Sequence, residues 1–119
     1  MNELRDWTLG QEGLVYQACP ACETRWYFHR QFCPHCGNAE PRQLQASGRG
    51  TVYSAAAIHR APSDTMRAYT PYTIVLVDAA EGFRMMAHGA ADLRIGDAVR
   101  AEYRAIGGKL MPFFDKGQP

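Results

Sequence analysis

Lysine is scarce in this chain of 119 residues, with Lys109 and Lys116 against a background of arginines. Charge of one sign is missing as well: Lys+Arg 13 stand against Asp+Glu 12, a formal net charge of +1. A protein that grips nucleic acid through its phosphates needs a basic face, and here the arginines alternate with Asp and Glu. Serine is limited to Ser47, Ser54 and Ser63, none of them in a G-x-S-x-G elbow. Gly48-Arg49-Gly50 lacks the lysine and the following helix of a phosphate loop. No apolar run approaches the roughly 20 residues that cross a bilayer. The opening MNELRDWTLG is charged where a secretory signal needs an apolar stretch. The expected location is therefore the cytoplasm, and no catalytic residue is expected in this chain alone.

What is present is a globular composition, 46% hydrophobic and 11% aromatic, and four cysteines. Cys19, Cys22, Cys33 and Cys36 form two C-x2-C pairs separated by ten residues. Each pair places two thiolates on one side of a tight turn, and two facing turns complete the tetrahedron that Zn2+ accepts from sulfur. Pro20 and Pro34 stiffen the turns. Gly37 follows the second pair, whereas Glu23 holds the equivalent place after the first. Two disulfides and an iron centre are the competing readings; a reducing compartment and the spacing favour one structural zinc ion. Four thiolates close the coordination shell, so this metal folds its lobe and offers no open position for chemistry. His29 and His35 lie nearby but are not needed as ligands. Four thiolates on one Zn2+ carry a local charge of about −2, which takes the loaded chain to about −1.

Residues 1–13 are expected as a lead-in, with Leu4, Trp7 and Leu9 available as anchors. Residues 14–47 form the cysteine lobe, in which Arg25 to His29 is a short strand and the polar run QLQASGRG from Gln43 is a linker. From residue 48 to 119 the signals are those of strands: Gly50–Ile58, Tyr72–Val77, Phe83–His88, Val99–Ala105 and Leu110–Phe114. Turn residues separate them, and Pro112 points to an edge or a bulge. No helical segment is expected. The fold class is mainly β, a rubredoxin-like zinc ribbon followed by a five-stranded OB-fold barrel. His59 to Pro71 is too long for a tight turn and is expected as an exposed loop, a common place for function.

The order CPAC, CPHCG, GRGTVYSAAAIHRAP, PYTIVLVDAAEGFRMMAHG, DLRIGDAVRAEY and LMPFF resembles domain-of-unknown-function family 35, the zinc-ribbon and OB-fold proteins that accompany thiolase-like acyl-CoA enzymes. The blocks G-x-G-x-V-Y-S, H-R-x-P and P-Y-x-(I/V)-x-L-V-x-x-x-E-G-x-R are specific to it, since neither a generic ribbon nor a generic barrel requires them. The resemblance implies a non-catalytic accessory subunit of a thiolase-type complex that makes or breaks C–C bonds on acyl-CoA, aromatic acyl-CoA among the candidates. The thiolase subunit would hold the nucleophile, and this chain would stabilise the complex and help shape the acyl-CoA entrance, with the cysteine lobe as a docking element. Arg60, Arg67 and Tyr69 on the long loop are the expected contacts to CoA or to the partner, because arginine forks suit phosphates. The alternative is a single-stranded nucleic-acid binder that stacks bases on Tyr53, Tyr72, Phe83 and Tyr103; the charge balance speaks against it.

Overall fold

The computed structural model describes residues 4–60, 64–67 and 70–117. Two sheets follow one another along the chain. The first contains β1 (Val15–Ala18), β2 (Arg25–Trp26) and β3 (Arg42–Gln45) in the order β2-β1-β3. β1 is central and antiparallel to both neighbours, with Gln17 opposite Trp26 on one side and Gln43 on the other. Arg42–Gln45 corrects the expected linker, whose first residues are strand. All four residues of β3 are exposed, so no apolar alternation marks it, and backbone pairing to β1 is what makes it a strand.

β2 is also shorter than the expected run to His29. Gln17, 3% exposed, draws the chain aside. Its carboxamide oxygen accepts from Trp26 Nε1 at 2.7 Å and from the Arg30 amide at 2.6 Å, while its Nε2 donates to the Arg30 carbonyl at 3.0 Å. One buried amide with every contact satisfied thus shapes the approach to Cys33. In the lead-in, Trp7–Leu9 makes a single 3-10 turn, with the Asp6 carboxylate accepting from the Thr8 amide at 2.9 Å. Trp7 packs against the core and donates to Tyr27 Oη at 2.6 Å. Leu9, by contrast, is 77% exposed and is not packed into the core of the described residues.

The second sheet is a closed barrel of β4 (Arg49–Ile58), β5 (Tyr72–Ala79), β6 (Arg84–Gly89), β7 (Ala98–Ile106) and β8 (Lys109–Lys116), in the order β4-β5-β6-β8-β7. Its strands are the five that the sequence pattern marks. The period-two alternation sends Val52, Val75, Val77, Met85, Val99 and Phe114 inward, each no more than 2% exposed. Burying one such side chain contributes about 1.5–3 kcal/mol. Gly50 sits where β4 meets β5; a Cβ there would lie 2.5 Å from Val77 Cγ1 and 2.7 Å from the Asp78 carbonyl oxygen, so only glycine fits. Pro112 stands just before Phe113, where β8 begins its parallel pairing with β6, so its missing N–H interrupts no β6 ladder.

The long connection between β4 and β5 holds one helical turn, α1 (Asp64–Arg67), where none is expected from the sequence. An i,i+3 pair between Arg67 and Asp64 at 2.8 Å supports it. Among the described residues, no helix is long and apolar enough to cross a membrane.

Candidate metal centre

The two cysteine turns are built alike. In the first, the Cys19 amide donates to the Thr24 carbonyl and the Glu23 amide to the Cys19 carbonyl, both at 2.9 Å. In the second, the Cys33 amide donates to the Asn38 carbonyl at 2.9 Å and the Gly37 amide to the Cys33 carbonyl at 3.0 Å. Within each turn the first sulfur accepts two amides: Ala21 at 3.4 Å and Cys22 at 3.5 Å for Cys19, His35 at 3.3 Å and Cys36 at 3.4 Å for Cys33. Such amide contacts favour the thiolate. Both turns close through a left-handed residue. Gly37 takes φ 80° at no steric cost, and Glu23 takes φ 63°, the single positive φ among the described non-glycine residues. The departure seen at Glu23 is therefore one of residue type, and the backbone repeats.

All four Sγ atoms lie within 4.8 Å of one another. Cys19 Sγ is 3.5 Å from Cys36 Sγ and Cys22 Sγ is 3.6 Å from Cys33 Sγ. These separations are far beyond a disulfide bond of about 2.05 Å, and the thiols are free. They approximate the edges of a tetrahedron about a metal bonded to sulfur at ~2.3 Å, which are about 3.8 Å long. The donor set therefore fits a tetrahedral Zn2+. The electrostatics agree. The Thr24 hydroxyl, 3.1 Å from Cys22 Sγ, holds the Cys22 thiol down at about 6, aided by the Thr24 backbone. Cys36 is pushed up to about 12: the Asn38 amide favours its thiolate, but the sulfurs of Cys19 and Cys22 outweigh it. Four sulfurs this close cannot all be anionic without a cation among them.

A second constellation joins the ribbon to the barrel at the β5–β6 turn, Ala80 to Phe83. Phe83, 4% exposed, stacks on Tyr16 at 4.9 Å and on Tyr27 at 5.9 Å between ring centroids. Glu81 Oε2 accepts the Ser47 amide at 2.9 Å, and the Glu81 carbonyl accepts from the Arg25 guanidinium. Arg84 pairs with Asp78 at 2.6 Å and lies 3.5 Å over the Tyr53 ring. Glu81 and Phe83 of the E-G-x-R signature are thus the weld between the lobes, while its Arg84 pairs within the barrel. The packing role of this motif is not visible in the sequence, and Gln17 carries no sequence signal at all.

Other expected site residues are dispersed. Arg60 is exposed at the end of β4, Arg67 is exposed beside Asp64, and Tyr69 lies outside the described residues. Of the aromatics expected to stack on bases, Phe83 is buried and Tyr103 packs on the core, while Tyr53 is 48% exposed. His88 lines a half-open cleft of about 380 Å³ with Tyr72, Arg104 and Phe113. Burial alone pulls its pKa below the usual imidazole range, and Arg104 is already paired with Glu102 at 3.0 Å. The described lining contains no Ser, Cys, Lys, Asp or Glu; its polar side chains besides Arg104 are Tyr72, Thr73 and His88.

Two family models match the chain: the ChsH2 rubredoxin-like zinc ribbon domain over residues 7–42 and the ChsH2 C-terminal OB-fold domain over residues 43–104. The chain belongs to the ChsH2 family. This ChsH2-family chain is 32% identical over 98 residues to a DUF35 domain-containing scaffold protein of Methanocaldococcus jannaschii, covering 78% of this chain and 69% of that one. It is 37% identical over 76 residues to a probable enoyl-CoA hydratase alpha subunit of Thermomonospora curvata, covering 64% of this chain. There it spans 23% of the relative's length, so the match reaches one part of a much longer protein. A solved structure described as the Ltp2-ChsH2(DUF35) aldolase contains a similar chain, with a TM-score of 0.73, 29% identity, and coverage of 87% of this chain and 84% of that one. A DUF35-family protein of unknown function from Sulfolobus solfataricus shares the fold, with a TM-score of 0.61 at 14% identity and coverage of 92% and 79%.

Proposed function

We propose that this chain is a non-catalytic scaffold subunit of a thiolase-type acyl-CoA enzyme complex. The observation that carries the reading is likeness over both lobes, at a TM-score of 0.73, to the ChsH2(DUF35) chain of an aldolase named for two components. The scaffold name of the archaeal relative and the acyl-CoA name of the hydratase subunit point the same way. The closed four-sulfur donor set suits a structural role for the metal.

In this reading Cys19, Cys22, Cys33 and Cys36 hold one structural Zn2+, which folds the ribbon and takes no part in turnover. The ribbon presents Phe28 and Phe32, 69% and 56% exposed, as a first contact patch for the partner. Arg60, Arg67 and Tyr69 face the CoA phosphates or the partner at the acyl-CoA entrance, and the complex works in the cytoplasm, where free thiols persist.

The test is co-expression with candidate thiolase-type proteins, any encoded beside this gene first, followed by affinity purification and mass measurement. A stable hetero-oligomer with one zinc per copy of this chain is expected. A chain that stays monomeric beside all of those proteins contradicts the reading.

A further inference from the structure

β4 is longer than its partners can cover. β5 pairs with it from Gly50 to Ile58, but β7 pairs only with Arg49, Gly50 and Thr51. The loop before β7 covers one residue more: the Val52 amide donates to the Asp97 carbonyl at 3.0 Å, and the Gly96 amide donates to the Val52 carbonyl at 2.9 Å. The register then shifts at a bulge between Val52 and Ser54. Beyond it, Ser54 to Ile58 pair on the β5 side alone among the described residues, and the bulged Tyr53 has no ladder partner on either side. Soluble proteins blunt such an edge with lysine, proline or an inward charge. The segment Tyr-Ser-Ala-Ala-Ala-Ile contains none of these.

The adjoining outer face is unusual in the same way. Residues paired across the ladder share a face. Ala56, Ile58, Ile74, Leu76 and Met86 therefore point outward together, with Ser54, Tyr72 and His88 on the same face, since Val75, Val77, Met85 and Ala87 between them point into the barrel. Met86 is 60% exposed. The first charges beyond these residues are Asp78 and Arg84, which neutralise each other at 2.6 Å.

We propose that the outer half of β4, Tyr53–Ile58, is a docking edge that accepts an extended, uncharged strand from a larger protein partner, with apolar side chains continuing the face of Ile74, Leu76 and Met86. This rests on the scaffold reading and gives that partner a place to bind. The open ladder specifies a strand. The central part of the face, from Ala56 to Met86, holds no Lys, Arg, Asp or Glu, which favours uncharged side chains, because an ammonium desolvated there would find no carboxylate. The dimensions select a larger partner over a second copy. Three strands about 4.8 Å apart and five residues long span about 15 Å by 17 Å, well under the roughly 800 Å² that each side of a standard interface buries. An interface confined to this patch would not hold two copies together, so the occupant is a partner that also contacts surfaces beyond it.

The experiment uses the complex with the co-expressed thiolase-type subunit. Amide hydrogen exchange is measured over residues 53–58 in the free chain and in the complex, and Ala56→Lys is compared with Ala56→Ser. Exchange in the segment is expected to slow at least tenfold on assembly. Ala56→Lys is expected to lower recovery of the partner at least tenfold with zinc content and circular dichroism unchanged, and Ala56→Ser to preserve it. If the complex forms and residues 53–58 exchange as in the free chain, or Ala56→Lys recovers the partner as well as wild type, the docking edge is wrong and the scaffold reading stands. If the wild-type chain recovers no partner, both fall. Protection of the segment in the chain alone, rising with concentration, assigns the edge to a second copy and overturns the proposal.

Discussion

Residues 14–45 bury the apolar side chains of Leu14 and Tyr16 besides Cys19 and Cys33, whereas the barrel buries nine apolar side chains from Val52 to Phe114. Leu14 and Tyr16 belong to the barrel's own cluster, so the ribbon has no core separate from it. Its order rests on two turns, a three-stranded sheet whose β3 is wholly exposed, and four sulfurs within 4.8 Å of one another. Too little apolar surface leaves a lobe of this size dependent on metal. The barrel is held by burial. The difference separates two stabilities that meet at Phe83.

Breaking the ribbon should have the largest effect. Cys33→Ser is expected to remove the metal, read by elemental analysis, with a loss of ribbon folding free energy on the order of 10 kcal/mol, the scale of structural zinc binding. The barrel should still unfold cooperatively. On the other side of the comparison, Phe114→Ala is expected to cost about 3–5 kcal/mol in the barrel transition during denaturant unfolding, with zinc affinity unchanged. Phe83→Ala removes the ring between Tyr16 and Tyr27. A cost of about 3 kcal/mol is expected, and calorimetry should resolve two transitions where wild type shows one.

Relief of the left-handed strain at Glu23 makes a smaller change. Glu23→Gly is expected to stabilise the zinc-loaded ribbon by about 1 kcal/mol, seen as tighter zinc retention against a chelator. The smallest effect lies in the barrel. Burial lowers the pKa of His88 from 6.5 in the folded state, so the native form prefers the neutral ring. This contribution is complete above pH 6.5 and is lost as pH falls through the folded value. Barrel stability should decline on mild acidification, and His88→Gln should flatten that decline.

Legibility from sequence divides along the same line. The cysteine turns are readable because their signal is local: two residues between ligands, a proline within each turn and glycine after the second. The barrel strands are readable because Val99–Ala105 alternates with period two and turn glycines at Gly82, Gly96 and Gly107-Gly108 separate several of the apolar runs. What escaped depends on distance along the chain. β3 pairs with β1 across more than twenty residues through backbone alone, and a polar strand with no buried side chain resembles a linker. Gln17 resembles any polar residue until its amide is seen to hold Trp26 and Arg30. The free half of β4 could not be found from its own sequence, since whether an alanine-rich strand has a neighbour depends on where β7 diverges.

The central claim is that metal holds the ribbon while apolar burial holds the barrel. One measurement addresses it directly: a two-dimensional amide proton–nitrogen NMR spectrum of the zinc-loaded chain before and after chelation. Resonances of residues 14–45 should collapse to unfolded positions. Those of β4 to β8 should persist, with shifts concentrated at Glu81 to Arg84. A ribbon that keeps its dispersed resonances without metal, or a barrel that collapses with it, would contradict the account.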